Sequence, residues 1–157
     1  MCRLLEGNVV GRWFEEAVFY HMYPIGMTGA PRRNEQTEVT HRFDSLMEWL
    51  PHIKDLGCTA IYIGPLFEST SHGYDTKDYR LVDRRLGDNE DFKKFVKEAH
   101  ELDIRVVVDG VFNHTGREFF AFQDIQKTEK ILHTAAGIKE SISDGILLIT
   151  MDSAMKR

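Results

Sequence analysis

The fold is decided by the stretch Ile104-Arg105-Val106-Val107-Val108-Asp109-Gly110-Val111-Phe112-Asn113-His114. Its first half is a β-branched apolar run, which is typical of a strand buried on both faces in a parallel sheet. Its second half switches to a carboxylate, a glycine, an amide and an imidazole. Because the carboxyl ends of strands form the working face of parallel α/β proteins, this switch predicts a functional site. An Asp-Gly turn closing a hairpin is the alternative, but no second alternating strand follows Gly110.

The chain before this stretch predicts two more strands and two helices. Apolar runs over residues 17–23 and 59–63 each end at a proline or glycine turn, so both are predicted strands. Apolar residues recur at helical spacing over 43–56 and 92–102. This alternation of strand and helix implies right-handed crossovers and a parallel sheet, so the predicted class is α/β.

Local signals refine these elements. Pro51 is expected to kink or split the first helix near Trp49, because proline cannot continue an interior helical turn. Asn89 or Asp88 is the predicted cap of the second helix. The intervening segment, from residue 66 to about 88, is rich in polar residues and is predicted to be a long loop.

Composition limits the function classes. The 157 residues allow one ordinary domain, and 42% hydrophobic with 29% charged residues fit a globular protein. A net charge of −5 argues against a nucleic-acid-binding surface. We expect no membrane association, since the sequence has neither a signal-peptide pattern nor an apolar run as long as a membrane span. Cys2 and Cys58 are too few for a disulfide framework, so the predicted location is cytoplasmic.

A second polar cluster suggests carbohydrate binding. Residues 71–79 contain two tyrosines, a histidine and two aspartates around Gly73. A tyrosine ring can lie against the apolar face of a sugar, and nearby carboxylates or imidazoles can hydrogen-bond the hydroxyl groups at its rim. The alternative is a solvated loop whose tyrosines anchor it to the sheet.

Three segments together closely resemble the α-amylase family of glycoside hydrolases, a resemblance that runs from about Val18 to Lys127. The Asp109–His114 hexapeptide is similar to the family's first signature region, at the end of the third strand of a (β/α)8 barrel. The resemblance implies a partial TIM barrel with about three parallel strands and two helices over residues 17–127. It leaves residues 1–16 as a leader and 128–157 as an atypical tail. The three segments are Gly64-Pro65-Leu66-Phe67-Glu68-Ser69, His72-Gly73-Tyr74-Asp75-Thr76-Lys77-Asp78-Tyr79 and Asp109-Gly110-Val111-Phe112-Asn113-His114.

The resemblance also implies the partner and the residues that bind it. The expected ligand is an α-glucan or maltooligosaccharide. Tyr74 would stack on the sugar at the cleavage subsite, and His72 and Asp75 would line the same pocket. His114 would hydrogen-bond a hydroxyl group of that sugar; the alternative for His114 is a core or supporting histidine.

Further residues are implied to shape the barrel mouth. Asp109 would hold an arginine from a later strand, and Asp78 and Tyr79 would be structural. Asn113 would be structural or, in members of the family that bind calcium, an oxygen ligand for that ion. We expect no other cofactor.

The catalytic carboxylates of the family are not recognisable. Retaining glycosidases need two carboxylates about 5–5.5 Å apart, and in this family they follow the fourth and fifth strands. Residues 148–156 faintly resemble the nucleophile region, but Thr150 occupies the position of the family's arginine. Asp152 also lies only 43 residues after Asp109, which is too close for the loop and helix that normally intervene. We therefore assign no catalytic role to Asp152.

Three hypotheses remain for the function. The leading one is the N-terminal part of an α-glucan-acting hydrolase or transglycosylase, of α-amylase, cyclomaltodextrinase or α-glucosidase type, inactive as written. The second is a non-catalytic carbohydrate-binding half-barrel. The third is an unrelated small α/β domain with coincidental motifs. A complete barrel of this type needs about 250 residues, which exceeds the length of this sequence.

We predict that residues from about Thr128 onward are a frameshifted translation. The resemblance ends near Lys127, and residues 129–157 contain no aromatic residue, although sugar-binding loops use aromatic rings for stacking. With wobble bases chosen freely, a shifted reading of Thr128 to Arg157 gives RKNSPYCSWYKGINFGWNTPYNDGFCYEA. That string resembles the continuation of the α-amylase family, with its aromatic-rich loop after the third strand.

Resequencing the locus tests this prediction. One inserted or lost base should restore a long frame that supplies the missing carboxylates and arginine. A confirmed written frame, together with a stop codon in the shifted frame within this stretch, would contradict it.

Overall fold

Parallel pairing of three short strands organises the described part of the chain. The computed structural model describes residues 13–128, 138–143 and 146–151. The predicted leader and tail therefore lie partly outside the described residues, and Asp152 lies wholly outside them. The strands are β1 (Phe19–Met22), β2 (Ala60–Ile63), β3 (Phe67–Ser69), β4 (Thr76–Val82), β5 (Arg105–Val108), β6 (Ile138–Ser143) and β7 (Ile146–Met151). The helices are α1 (Pro24–Met27), α2 (Phe43–Met47), α3 (Leu50–Asp55), α4 (Asn89–Glu101) and α5 (Phe120–Thr128).

The predicted parallel sheet is confirmed, in the order β1-β2-β5. The hairpin alternative is wrong, because β5 pairs only with β2 among the described strands and Asp109 N–H donates to the Ile63 carbonyl (2.9 Å). The expectation of a strand buried on both faces is also wrong for β5. Arg105 is exposed and Val106 to Val108 are half-buried, because β5 is an edge of this three-stranded sheet.

Helices α2, α3 and α4 pack on one face of the sheet. The Phe43 ring lies 5.8 Å from that of Phe95 and 5.9 Å from that of Phe92. The residues packed between helices and sheet are almost fully buried and include Leu46, Leu50, Ile53, Ile61, Ile63 and Ile104. None of the helices in the described ranges is long and apolar enough to cross a membrane.

Helix boundaries follow the sequence signals. The predicted split is confirmed: α2 ends at Met47 and α3 begins at Leu50, with Pro51 in its first turn, where the missing N–H would have had no partner. Of the two predicted caps for α4, the structure has Asp88. Its carboxylate accepts from two backbone N–H groups of the first turn, and the Asp91 side chain accepts from Asp88 N–H in return.

The predicted loop over residues 66–88 is wrong, because β3 and β4 form an antiparallel hairpin there. The strand pattern is hidden in the sequence, since β3 has only three residues and the pairing shifts register on both sides of Glu68. Polar contacts rather than alternating apolar side chains stabilise this hairpin.

The central polar contact is a fully buried ion pair between Asp83 and Arg85. The Arg85 guanidinium donates Nε–H and Nη2–H to the two carboxylate oxygens, at 2.8 and 2.7 Å. The same carboxylate accepts from the N–H and hydroxyl of Ser69. Arg85 also donates to Ser69 Oγ (2.9 Å) and to the Pro31 carbonyl (2.8 Å). The pair therefore joins the loop after α1 to both strands of the hairpin.

Arg85→Met should lower the free energy of unfolding by about 3–5 kcal/mol, because it leaves the Asp83 carboxylate buried without its counter-charge. Urea denaturation of the full chain measures the change. Arg80→Met is the matched control. Arg80 forms the same bidentate contact with the carboxylate two residues before it, Asp78, but its side chain is 81% exposed. We expect little or no change for this control, and equal losses for the two variants would contradict the assignment.

Candidate functional site

Two loops meet at the carboxyl edge of the sheet. The hairpin loop, residues 70–75, joins β3 to β4, and the β5 loop, residues 109–119, follows β5. Gly116 N–H donates to the Thr76 carbonyl (2.8 Å). A Cβ at Gly116 would overlap with the carbonyl oxygen of Asp75, so the two backbones touch. Only glycine permits this approach.

A second glycine seats the hairpin loop on the end of β2. Gly73 has φ +91°, a conformation that other residues rarely adopt. A Cβ there would lie 3.0 Å from the Cβ of Pro65 and 3.1 Å from its carbonyl oxygen. The loop is therefore packed against the Gly64-Pro65 turn that closes β2.

Strand β4 holds the β5 loop through two further contacts. The Tyr79 hydroxyl lies within hydrogen-bonding reach of the Val111 and His114 carbonyls, and burial raises the pKa of this phenol above its ordinary value. Lys77 forms an ion pair with Glu118 (2.8 Å). Tyr79, which the family resemblance marked as structural, therefore supports the loop that carries His114.

The hairpin loop contains three of the predicted sugar-binding residues. Both Asp75 oxygens are used to fix the loop, since they accept from Ser71 N–H (3.1 Å) and Ser71 Oγ–H (2.7 Å). His72 Nδ1 accepts from Tyr74 N–H (3.2 Å), so in the neutral ring the proton lies on Nε2. The Tyr74 side chain is 40% exposed, with its ring 6.1 Å from that of His72. A ring face and a donor are therefore both available to a ligand.

The β5 loop contributes the other predicted residues. Asp109 and His114 are half-buried, whereas Asn113 is exposed. The contact of Gly116 with Asp75 brings this loop against the one that holds His72 and Tyr74. The remaining predicted residue, Asp78, lies on β4 and is paired with Arg80, whose hydrogen bonds hold the pKa of Asp78 below its ordinary value.

Sequence reasoning missed two tyrosines. The Tyr23 hydroxyl donates to the His72 carbonyl (3.0 Å), and burial raises its pKa, to which the nearby Tyr74 and Asp75 contribute. Burial, and next a hydrogen bond to Asp109, raise the pKa of Tyr62. Both tyrosines lie near the carboxyl ends of predicted strands, and this position in the sequence could have marked them as site residues.

Within the described residues, one group of three possible metal ligands converges: His41, Asp88 and Asp91, with ligand atoms within 4.8 Å of one another. Its carboxylates cap α4, and His41 Nδ1 lies 2.5 Å from Asp91 Oδ2. A hydrogen bond to Asp91 raises the pKa of His41. Calcium at Asn113 stays a prediction.

Comparisons with known proteins agree on one protein family. The family model for the catalytic domain of α-amylase matches residues 33–139. Neopullulanase 2 of Thermoactinomyces vulgaris is 37% identical over 135 residues, which covers 75% of this chain and 23% of that protein. A cyclomaltodextrinase of Geobacillus thermopakistaniensis is 39% identical over 130 residues, covering 73% and 22% respectively. The chain thus spans less than a quarter of the length of these curated relatives.

A solved structure agrees with the predicted architecture. The crystal structure of the debranching enzyme from Nostoc punctiforme superposes with a TM-score of 0.68 at 30% sequence identity. The match covers 90% of this chain and 37% of that one. The predicted partial barrel is therefore confirmed as the fold class.

Gly116→Ala should destabilise the chain by about 1–3 kcal/mol, the usual cost of inserting a methyl group into a packed contact. The added Cβ must displace the Asp75 carbonyl, so the two loops should separate, and hydrogen exchange of the Gly116 N–H should accelerate. Gly110→Ala is the control in the same loop, because the three atoms nearest to a Cβ there all belong to the exposed Phe112 ring, which can move. Equal behaviour of the two variants would show that the loops are not joined at Gly116.

Proposed function

Because the chain belongs to the α-amylase family of glycoside hydrolases, we propose that it forms the first part of an α-glucan-binding pocket. The pocket comprises the hairpin loop, the β5 loop and the ends of β1 and β2. The names of its relatives refer to cyclomaltodextrin and pullulan, so maltooligosaccharides and cyclodextrins are the ligands that we propose for this chain.

One observation carries this proposal, namely the backbone contact of Gly116 with Asp75. This contact supports the proposal because it brings the loop of His72 and Tyr74 against the loop that contains Asp109 and His114. The exposed Tyr74 ring offers a stacking surface for the apolar face of a glucose unit. His72 Nε2–H is a donor for a sugar hydroxyl group, and the family resemblance gives a second hydroxyl contact to His114.

We propose that the chain as written binds glucans without cleaving them. A retaining mechanism needs a free nucleophilic carboxylate and a protonated one about 5–5.5 Å apart. Asp75 is engaged by Ser71 through both oxygens, and the family resemblance assigns Asp109 to an arginine of a later strand. These interactions support a structural role for both carboxylates rather than a catalytic one.

In the longer proteins of the family, residues after the fourth and fifth strands would supply that chemistry. The family resemblance then implies that this pocket binds the sugar whose glycosidic bond is cleaved. The second candidate function is a non-catalytic binding half-barrel, which the same geometry supports. The two candidates differ in whether the downstream coding sequence encodes the catalytic carboxylates. We propose a cytoplasmic location, for which the buried free thiol of Cys58 is the support.

Tyr74→Ala should weaken maltoheptaose binding about three- to tenfold, because an aromatic stacking contact of this kind contributes about 0.5–1.5 kcal/mol. Isothermal titration calorimetry of the full chain measures the affinity. Trp49→Ala is the control, since Trp49 is 41% exposed but lies between α2 and α3, away from the loops. Tyr74→Phe should bind nearly as well as the unmodified chain. Equal weakening by Tyr74→Ala and Trp49→Ala would contradict the proposed pocket.

Hydrolysis of starch, maltodextrin or cyclodextrin should be undetectable with the same preparation. Reducing-sugar release is the measurement. Turnover that disappears on Asp152→Ala would contradict the proposal and identify Asp152 as a nucleophile.

A further inference from the structure

We propose that Tyr23 is a positioning residue of the pocket, whose hydroxyl group holds His72 of the hairpin loop against the carboxyl end of β1. The inference rests on the proposed function for the identity of the ligand, a maltooligosaccharide, that His72 and Tyr74 would bind. The contact itself rests on the geometry of the residues that surround Tyr23. In this proposal Tyr23 acts through His72 and not on the sugar directly.

The backbone of Tyr23 is fixed on both sides of the residue. Before it, Gly64 N–H donates to the Met22 carbonyl (2.7 Å), which continues the pairing of β1 with β2. After it, α1 begins at Pro24, and Met27 N–H donates to the Tyr23 carbonyl (3.0 Å). Tyr23 therefore lies at a hydrogen-bonded junction between a strand and a helix.

Two glycines make room for the Tyr23 ring. A Cβ at Gly26 would lie 2.8 Å from Tyr23 Cδ1, which is closer than real Cβ atoms approach. At the opposite edge of the ring, a Cβ at Gly64 would lie 3.5 Å from Tyr23 Cδ2, in ordinary van der Waals contact. The ring is therefore seated between α1 and the turn after β2, which limits where its hydroxyl group can lie.

The Tyr23 hydroxyl group reaches the hairpin loop across 49 positions of the sequence, where it donates to the His72 carbonyl (3.0 Å). Burial is the largest cause that raises the pKa of this phenol, so it stays protonated at neutral pH and remains a donor. His72 Nδ1 in turn accepts from Tyr74 N–H (3.2 Å). Tyr23 thus fixes the residue that holds the backbone of Tyr74, and it leaves His72 Nε2–H for a ligand.

The hairpin loop is then held from the carboxyl ends of all three parallel strands. It packs against the Gly64-Pro65 turn after β2 and against Gly116 in the loop after β5. Two contacts leave a loop free to rotate about the line that joins them, and a third contact removes this freedom. The hydrogen bond from Tyr23 supplies this third contact, from the β1 side, and of the three it is the one made to His72.

A carbonyl signal tests the contact without any ligand. Among the seven histidines only His72 precedes a glycine, so the full chain labelled with ¹³C′-histidine and ¹⁵N-glycine gives one NMR signal for the His72–Gly73 peptide bond. Tyr23→Phe removes the hydroxyl group and keeps the ring, so this signal should shift. Tyr20→Phe is the control on the same strand and should leave the signal unchanged. A stationary signal in folded Tyr23→Phe overturns the proposal.

Gly26→Ala tests the same contact while the hydroxyl group is still present. The added Cβ must push the Tyr23 ring out of its position, so the His72 carbonyl signal should shift here as well. If Tyr23→Phe does not fold, Gly26→Ala decides the question, and a stationary signal then overturns the proposal.

Hydrogen exchange of Tyr74 N–H tests whether the contact positions the stacking residue. Gly73–Tyr74 is the only Gly-Tyr pair in the sequence, so ¹³C′-glycine with ¹⁵N-tyrosine isolates this amide. Exchange should be severalfold faster in Tyr23→Phe than in the unmodified chain or in Tyr20→Phe. Equal exchange in all three shows that Tyr23 does not position Tyr74 and overturns the proposal.

Maltoheptaose affinity tests the functional part. Tyr23→Phe should weaken binding about two- to tenfold, the range that corresponds to the net contribution of one hydrogen bond. Tyr20→Phe should not weaken it, because Tyr20 packs against the core. If the His72 signal shifts and the affinity does not change, Tyr23 does not position the pocket. If the unmodified chain binds no glucan, the proposed function fails, and the His72 signal and Tyr74 exchange still decide whether Tyr23 holds the loop.

Discussion

The buried Asp83–Arg85 pair is the interaction on which the rest of the site depends. The two side chains are fully buried, and each polar atom has a partner in Ser69, Asn34 or the backbone after α1. Such saturation is what makes a buried charge tolerable, since an unpaired one costs several kcal/mol. The pair closes the base of a hairpin whose short strands have too little apolar surface to stabilise themselves. The tip of that hairpin carries the predicted sugar-binding residues.

Close contacts at two glycines hold the hairpin loop and the β5 loop in place above this base. Gly73 packs against the ring and carbonyl of Pro65, and Gly116 packs against the backbone of Asp75, so rigid groups position both loops. Tyr79 adds a phenol that bridges β4 to the β5 loop. The side chains left over for a ligand, above all Tyr74, are therefore free to contact it while their attachment points stay fixed. A preorganised binding surface requires such fixed attachment points together with side chains that are left for the ligand.

Much of this architecture could be predicted from sequence, and the omissions have a common physical origin. The parallel strands and the split helix follow from apolar periodicity and Pro51, which act locally. The β3–β4 hairpin was missed because its stabilising contacts are polar and distant in sequence. The pattern Asp-x-Arg occurs three times in the sequence, and at two of them, Asp78–Arg80 and Asp83–Arg85, the side chains form the same bidentate contact. Only the second pair is buried, and burial is a tertiary property that spacing does not encode. Tyr23 and Tyr62 were missed for the same reason, because their partners lie on other strands.

In our proposal, sugar binding is separated from glycosidic bond cleavage in this chain. Each strand of a (β/α)8 barrel delivers its own side chains to the carboxyl edge, so neighbouring units contribute independent parts of one pocket. The units described for this chain offer a ring face, hydrogen-bond donors and carboxylates. Such groups suit the ground state of a sugar, whose hydroxyl groups and C–H faces carry little charge. The positive charge that develops at a breaking glycosidic bond needs carboxylates of another kind, one ionised and one protonated. Both oxygens of Asp75 already accept hydrogen bonds from Ser71, so in our proposal later units would have to supply this carboxylate pair.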